Sequence, residues 1–222
     1  MMTNMFSIFD PSTSNNLSLN WMIMIWPIII FNWMYWLIPS RFSMLWIKLL
    51  NFIYNEFKIL TKKNNYYNLI MFISMFLFIL NINMISLMPY IFTPTSHMNF
   101  NLSMALSMWI SLMLFGWILN TNFMFMHLVP MNTPMMLMSF MVIIESISIM
   151  IRPWTLSIRL SANMLSGHLL LSLLGSSMQN NLLIIPMMII IQNMLMLLEM
   201  SVAFIQSYVF SILSLLYFNE IK

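Results

Sequence analysis

Long hydrophobic runs without charged residues dominate the chain and predict membrane-spanning helices. The first run covers residues 21–38, carries Trp residues at interfacial positions and stops at Pro39. Two further runs of spanning length flank a polar turn at 89–97. They predict a helical hairpin over 67–119.

Residues 42–63 show a different pattern, because charged residues alternate with apolar ones at helical spacing. This pattern predicts an amphipathic helix that lies on the membrane surface. Five positive charges fall between Arg41 and Lys63, against the single acidic residue Glu56. The positive-inside rule therefore places this segment on the side where the chain is synthesised, and places the N-terminal segment 1–20 and the 89–97 turn on the opposite side.

The last two apolar segments, 135–174 and 182–218, are too long for upright spans. At about 1.5 Å per residue each exceeds roughly 50 Å, whereas the hydrocarbon core measures about 30 Å. Pro153 and Pro186 could bend them. We expect two strongly tilted helices, joined by a polar turn at 175–181, that form a second hairpin over 135–218.

Polar residues recur along one face of each long helix. On the first, four residues are spaced by 7, 7 and 4 positions, which keeps them on one face: Glu145, Arg152, Arg159 and Asn163. On the second, three residues are spaced by 7 and 7: Gln192, Glu199 and Gln206. These two polar stripes can face each other or a common partner.

Arg159 is the most informative residue of the first stripe, because a guanidinium stays charged. Placing it near the bilayer centre costs at least roughly 2.5 to 3.5 kcal/mol, so it should have a partner. The small residues around it would let another helix approach closely: Ser157, Ser161, Ala162, Ser166 and Gly167. His168 lies nine positions further on, and so on the opposite face.

The composition agrees with a single membrane-embedded domain over residues 1–222. The chain is 61% hydrophobic and only 6% charged, which excludes a large extramembrane domain. Its eight Lys and Arg residues are too few and too scattered for nucleic-acid binding. The absence of cysteine excludes disulfides, thiolate metal sites and iron–sulfur clusters. Abundant Met, Ile, Asn and Phe indicate an AT-rich organellar genome.

Simpler explanations of these features remain open at the level of sequence. Arg159 could be a structural charge that pairs with Glu199 or with backbone carbonyls, and the stripes could be ordinary packing polarity. A haem-binding redox subunit would need paired axial ligands, yet His97, His127 and His168 lie one per segment, the first two in predicted loops. A secondary transporter usually shows internal repeats, which the two halves lack. A purely structural subunit would explain the spans but not the stripes.

Four segments together resemble the subunit a family of F-type ATP synthases, in its mitochondrially encoded animal form. They are Ile151 to His168 (IRPWTLSIRLSANMLSGH), Pro89 to His97 (PYIFTPTSH), His127 to Pro130 (HLVP) and Ile205 to Phe210 (IQSYVF). The likeness extends from Phe9 to Tyr217. The resemblance implies the stator half of a proton turbine in the mitochondrial inner membrane, packed against a rotor ring of c subunits that each carry one carboxylate.

The resemblance also implies roles for individual residues. Arg159 matches the family's essential arginine, Asn163 the asparagine four positions later, and Gln206 a glutamine near the arginine. His168 and Glu199 match a pair whose residues are exchanged in bacterial relatives, and Glu145 matches an acidic residue of the mitochondrial branch. We expect proton translocation by Arg159, Glu145, His168 and Glu199, with support from Asn163, Gln206, Arg152 and Gln192.

The expected partners are the rotor ring, peripheral-stalk and other membrane subunits, the lipid bilayer and protons. Arg159 is expected to attract the ionised rotor carboxylate and to block proton leakage between two half-channels. The chain lacks a phosphate-binding G-x-x-x-x-G-K-[ST] loop, so we expect no catalysis by this subunit itself. We expect neither a metal nor a cofactor.

Overall fold

The computed structural model describes residues 5–14, 16–30, 37–61, 63–129, 134–178 and 185–221. Within these ranges the regular structure is helical, apart from one isolated bridge between Ser14 and Leu17. Four helices in this part of the chain are long and apolar enough to cross a membrane. The all-α integral membrane fold predicted from the sequence is confirmed.

Seven α-helices make up most of the described structure. They are α1 (Trp26–Ile30), α2 (Arg41–Leu60), α3 (Leu69–Ser86), α4 (Met98–Leu119), α5 (Thr121–His127), α6 (Met138–Met178) and α7 (Ile185–Ile221). Short 3₁₀ helices cover Met5–Phe9, Leu19–Ile25, Lys63–Asn68, Pro94–Ser96 and Met135–Leu137. With 41 and 37 residues, α6 and α7 would measure about 60 and 55 Å. Their inclination in the bilayer stays a prediction.

The predicted first span, 21–38, corresponds in part to the 3₁₀ helix Leu19–Ile25 and to α1. Residues 31–36 lie outside the described residues. The apolar helix that the structure does describe, Leu19–Ile29, is shorter than a bilayer requires. The span therefore stays a prediction.

Helix α2 forms at the predicted amphipathic segment and is anchored at both ends. At its start, the backbone N–H of Ser43 donates to Oγ of Ser40 (3.3 Å), which caps the helix. At its end, Nδ2 of Asn219 on α7 donates to the carbonyl of Leu60 (2.8 Å). Phe57 is fully buried between α2, α3 and α7. The C-terminal ends of α2 and α7 therefore lie at the same end of the bundle.

The two most extensive contacts among the four long helices join helices that are not neighbours along the chain. Helix α3 packs mainly on α7, α4 packs mainly on α6, and α6 packs on α7. Near one end, the rings of Phe72 and Phe218 are 5.8 Å apart. At the other end, Leu87, Met164 and Ala203 share one core cluster. The two helices of the predicted 67–119 hairpin are thus held together largely through α6 and α7.

The turn between α3 and α4 is a compact, hydrogen-bonded cap on one end of the bundle. Tyr90 has a left-handed backbone conformation (φ 65°), which is uncommon for a residue with a side chain. Nδ2 of Asn101 donates to the carbonyl of Thr95 (2.6 Å), and Nε2 of His97 donates to the carbonyl of Phe9 (3.0 Å). The N-terminal segment is therefore tied to this turn, at the end of the bundle opposite Leu60 and Asn219.

Two loop predictions are wrong in detail. The turn predicted at 175–181 is helical through Met178, and the hydroxyl groups of Ser176 and Ser177 donate within this helix to carbonyls three residues earlier. Residues 179–181 of this predicted turn lie outside the described residues. His127, predicted in a loop, is the last residue of α5, where Phe125 packs edge-on against Trp117 (4.8 Å).

Candidate functional site

Arg159 points away from the chain's own core. It is exposed, whereas the adjacent Leu160 is buried. It forms no ion pair and no side-chain hydrogen bond with the residues that the structure describes. The alternative in which Arg159 pairs statically with Glu199 or with a backbone carbonyl is therefore wrong for this chain on its own. The guanidinium is available to a group outside the chain.

The outward face of α6 around Arg159 consists of small and polar residues. Thr155, Ala162, Asn163 and Ser166 are all exposed beside Arg159. By contrast, Ser157 and Ser161 face inward and are buried, and Gly167 packs against α7. The small residues were predicted to let another helix approach closely, and on the inner side of α6 the helices that approach are α4 and α7 of the same chain.

Arg152, one stripe position before Arg159, is engaged inside the chain. Its Nη1 donates to Oε2 of Glu220 at 2.9 Å, and its Nη2 lies 4.0 Å from Oε1 of Glu145. The guanidinium also lies over the ring of Tyr217, 4.8 Å from its centroid. The predicted neighbours Glu145 and Arg152 thus form one charged cluster, which we call the Arg152 cluster: Glu145, Arg152, Tyr217 and Glu220.

Glu220 is a site residue that the sequence reasoning missed. The predicted last helix ended at 218, whereas α7 continues to Ile221. A signal was available, because the stripe of Gln192, Glu199 and Gln206 repeats every seven residues, and two more repeats lead to 220. The extension of α7 by one turn carries this carboxylate to Arg152.

A cavity of about 280 Å³ adjoins the Arg152 cluster. Helices α4, α5, α6 and α7 line it, largely with apolar side chains such as Trp109 and Trp117. His127, Glu145, Arg152 and Glu220 supply its polar part. Since one water molecule takes roughly 30 Å³ in the liquid, the cavity has room for several, with polar groups to bind them.

Glu199 and the region of His168 meet on the inner side of α6. A Cβ atom at Gly167 would lie 2.8 Å from Oε1 and 2.9 Å from Cδ of Glu199, so the carboxylate rests directly on this glycine. Both carboxylate oxygens and Nε2 of His168 are buried without a hydrogen-bond partner among the described residues. The two side chains that the resemblance pairs are thus brought to the same turn of α6, although no hydrogen bond joins them.

The second stripe faces the interior of the bundle. Gln206 and Glu199 are buried and Gln192 is half-buried. Along α6, Glu145 lies 14 residues before Arg159 and His168 lies nine residues after it, or about 21 and 14 Å along the axis. Arg159 therefore lies between two separate groups of titratable side chains.

Comparisons with known proteins agree over nearly the whole chain. The sequence profile of the family described as ATP synthase A chain matches residues 17–219. The chain is 54% identical to ATP synthase subunit a of Apis mellifera ligustica over 221 residues, covering 99% of this chain and 97% of that protein. It is also 54% identical to ATP synthase subunit a of Locusta migratoria and 49% identical to that of Aedes aegypti, with full coverage of both chains in each case.

Proposed function

This chain belongs to the ATP synthase A chain family, and from that membership we propose that it forms two proton half-channels against a rotor of carboxylate-bearing helices. It is a multi-pass subunit of the ATP synthase membrane sector, and its insect relatives place it in the mitochondrion. The inner membrane is the location that we propose within that organelle. The observation that carries the proposal is the exposed guanidinium of Arg159, which forms no ion pair with the described residues and lies on a helix long enough to span.

An arginine in this position requires an anion from another subunit. Its charge cannot be removed by deprotonation, and the bilayer interior penalises it unless a counter-charge is present. Among the described acidic residues, Glu145 and Glu220 are engaged by Arg152, and Glu199 lies on the inner side of α6. An ionised carboxylate on a rotor helix would complete the pair.

The two groups of titratable residues on either side of Arg159 support two separate proton paths. One path contains the Arg152 cluster and the cavity beside it. The other contains His168 and Glu199, with Gln206 and Gln192 further along the same stripe. Asn163, on the outward face one turn from Arg159, is placed to hydrogen-bond with the rotor helix or with water there.

The sides to which these paths open follow from the charge of α2. The positive-inside rule assigns α2 to the matrix side, where a mitochondrially encoded chain is made. Asn219 ties the end of α7 to α2, so the Arg152 cluster, which includes Glu220, lies toward the matrix. The other path lies toward the opposite side, where the turn between α3 and α4 is held by the N-terminal segment.

The proton cycle follows from these positions. During synthesis, a proton passes His168 and Glu199 and neutralises a rotor carboxylate, which can then turn through lipid without a charge. When the carboxylate reaches the matrix-side path, its proton leaves past the Arg152 cluster, and Arg159 favours the ionised form that results. The same positive charge repels a hydrated proton and prevents a direct leak. Each proton that crosses about 100 mV releases roughly 2.3 kcal/mol.

Arg159→Ala in the assembled complex tests this function. We expect proton-driven ATP synthesis and ATP-driven proton pumping to be abolished in membrane vesicles, while the catalytic head still hydrolyses ATP after it is detached. The measurements are vesicle acidification and ATP yield under an imposed proton gradient. Pumping at the parental rate in Arg159→Ala would contradict the proposal.

A further inference from the structure

The last turn of α7 makes contacts on two opposite sides. Successive residues of an α-helix are about 100° apart around its axis, so Tyr217 and Glu220 share one side of this turn. Both contact Arg152 on α6, the first through its ring and the second through its carboxylate. On the other side, Phe218 packs against α3 and α4, and Asn219 bonds to α2. The turn therefore joins the Arg152 cluster to the rest of the bundle.

Glu220 lies one residue before the end of α7, at Ile221. Helix ends fray, because the last four carbonyl groups have no partner within the helix. The bond from Nη1 of Arg152 to Oε2 of Glu220 is short, but the side chain of Glu220 is 49% exposed, and an exposed ion pair stabilises little by itself. The position of the carboxylate therefore depends on what else holds the last turn of α7.

Asn219 provides such a hold, since its Nδ2 donates to the carbonyl of Leu60 at 2.8 Å. Leu60 is the last residue of α2, so its carbonyl has no partner within that helix and is free to accept. Oδ1 of Asn219 is buried without a hydrogen-bond partner among the described residues. The amide therefore acts here through its donor, which links the end of α7 to the end of α2.

The end of α2 is a firm point of attachment. Phe57, one turn before Leu60, is fully buried. Its ring is 6.5 Å from that of Phe76 on α3 and 6.2 Å from that of Tyr208 on α7. Because a packed core resists displacement, the end of α2 cannot shift without disturbing both neighbouring helices. Asn219 is thus bound to a fixed part of the bundle.

We propose that Asn219 holds the carboxylate of Glu220 in the Arg152 cluster by tying the last turn of α7 to the end of α2. This inference rests on the proposed function, in which the Arg152 cluster forms part of the proton path toward the matrix. Asn219 is a positioning residue, because it acts through Glu220. Helix α2 thereby takes part in proton exit, although the cavity beside the cluster is lined by α4, α5, α6 and α7.

Two substitutions of Asn219 in the assembled complex test the hydrogen bond. Asn219→Leu keeps a similar volume but cannot donate, whereas Asn219→Gln keeps the amide donor on a side chain one methylene longer. We expect Leu to slow passive proton flux per assembled complex severalfold and Gln to restore most of it. Parental flux in Asn219→Leu, or equal loss in both variants, would contradict the inference.

Thr61→Val is the matched control at the same end of α2. Thr61 is buried, and its hydroxyl donates to the carbonyl of Lys58 (3.2 Å). Valine removes this hydrogen bond and leaves the link between α2 and α7 in place, so we expect parental flux. A loss as large as that of Asn219→Leu would show that flux responds to any disturbance at the end of α2, and would overturn the role given to Asn219.

Combination with Glu220→Gln separates a positioning role from a structural one. If Asn219 acts through the carboxylate of Glu220, Asn219→Leu should slow flux no further once that carboxylate has been replaced, because the two changes then affect the same contact. A structural role would instead reduce flux by the same factor with and without Glu220→Gln. That second result would overturn the proposal.

Hydrogen exchange of the last turn measures the hold itself, without any need for rotation. The backbone amides of residues 216–221 should exchange faster in Asn219→Leu than in the parental protein, and should be unchanged in Thr61→Val. Faster exchange in Asn219→Leu together with normal pumping by Arg159→Ala would reject the proposed function alone. Unchanged exchange and parental flux in Asn219→Leu, together with loss of pumping by Arg159→Ala, would reject the positioning role alone.

Discussion

Arg152 and Arg159 lie on the same helix, seven residues apart, and have opposite surroundings. Arg152 hydrogen-bonds with Glu220, lies near Glu145 and stacks on Tyr217. Arg159 is exposed and forms no ion pair with the described residues. The spacing that makes them look equivalent in the sequence is therefore a poor guide to their roles. Of the two, only Arg159 is left available to a group outside the chain.

The largest difference between the two arginines should appear on replacement by lysine. Arg159→Lys should lose nearly all proton-driven ATP synthesis, because an ammonium lacks the guanidinium fork and can lose its proton when desolvated. Arg152→Lys should retain most synthesis, since an ammonium can still reach the carboxylate of Glu220. ATP yield under an imposed gradient measures both. Equal loss in the two variants would show that the contrast in pairing has no functional meaning.

Cysteine crosslinking should separate the outward face of Arg159 from the inward face. Single cysteines at Ala162 and Ser166, which are exposed, should include positions that crosslink to a cysteine on the outer helix of the rotor. Cysteines at the buried Ser157 and at the exposed Ile28 of α1 should not. Mobility of the crosslinked product on a denaturing gel gives the result. Crosslinking from Ser157 or Ile28 alone would mean that the wrong surface has been assigned to the rotor.

The Arg152 cluster should contribute to stability by a moderate amount. Glu220→Gln removes one charge from its bond with Arg152, and we expect a loss of roughly 1.5 kcal/mol, the low end for charged hydrogen bonds because the Glu220 side chain is 49% exposed. Thermal inactivation of the assembled complex measures this loss. Glu56→Gln on α2, for which the structure shows no ion pair among the described residues, is the control and should leave the inactivation temperature unchanged.

The smallest effect concerns His168 and Glu199, which meet at one turn of α6 without a direct bond. His168→Leu and Glu199→Leu should each slow proton flux. The double variant should lose less than the sum of the two, with a coupling of about 0.5 kcal/mol, or roughly twofold in rate. Passive flux through vesicles that lack the catalytic head is the measurement. Strict additivity would show that the two side chains act in separate networks.

Much of the fold could be predicted from hydrophobic run length and charge. The two helices of the predicted hairpin over 67–119 correspond to α3 and α4, because only long apolar helices satisfy their backbone polar groups in lipid. The pairing of α3 with α7 and of α4 with α6 could not be predicted, since all four helices are apolar around most of their surface. Short α5 was missed because its stability depends on a tertiary contact, Phe125 on Trp117.

The candidate site, like the fold, could be predicted only in part from the sequence. The seven-residue spacing correctly placed Glu145 and Arg152 on one face of the helix, and their long side chains meet across two turns. The spacing did not show that Ser161 points inward while Ala162 points outward. Both side chains are small and neither is charged, so the sequence gives no preference for either direction. Glu220 was missed because the predicted last helix ended at 218, three residues before the end of α7. Placing the end of the last helix too early left the charge of Glu220 out of the predicted site. The errors about which way the side chains of α6 point removed no charged residue from it.

The interlocking of helices that are distant in sequence has a consequence for biosynthesis. Helices α3 and α4 leave the ribosome before α6 and α7, on which they mainly pack. Until those helices arrive, residues of α3 that are buried in the finished bundle, such as Phe72, lack the cover that α7 provides. We therefore expect the early chain to remain near the insertion machinery or beside another subunit, and the fold to be completed only when its last helix is made.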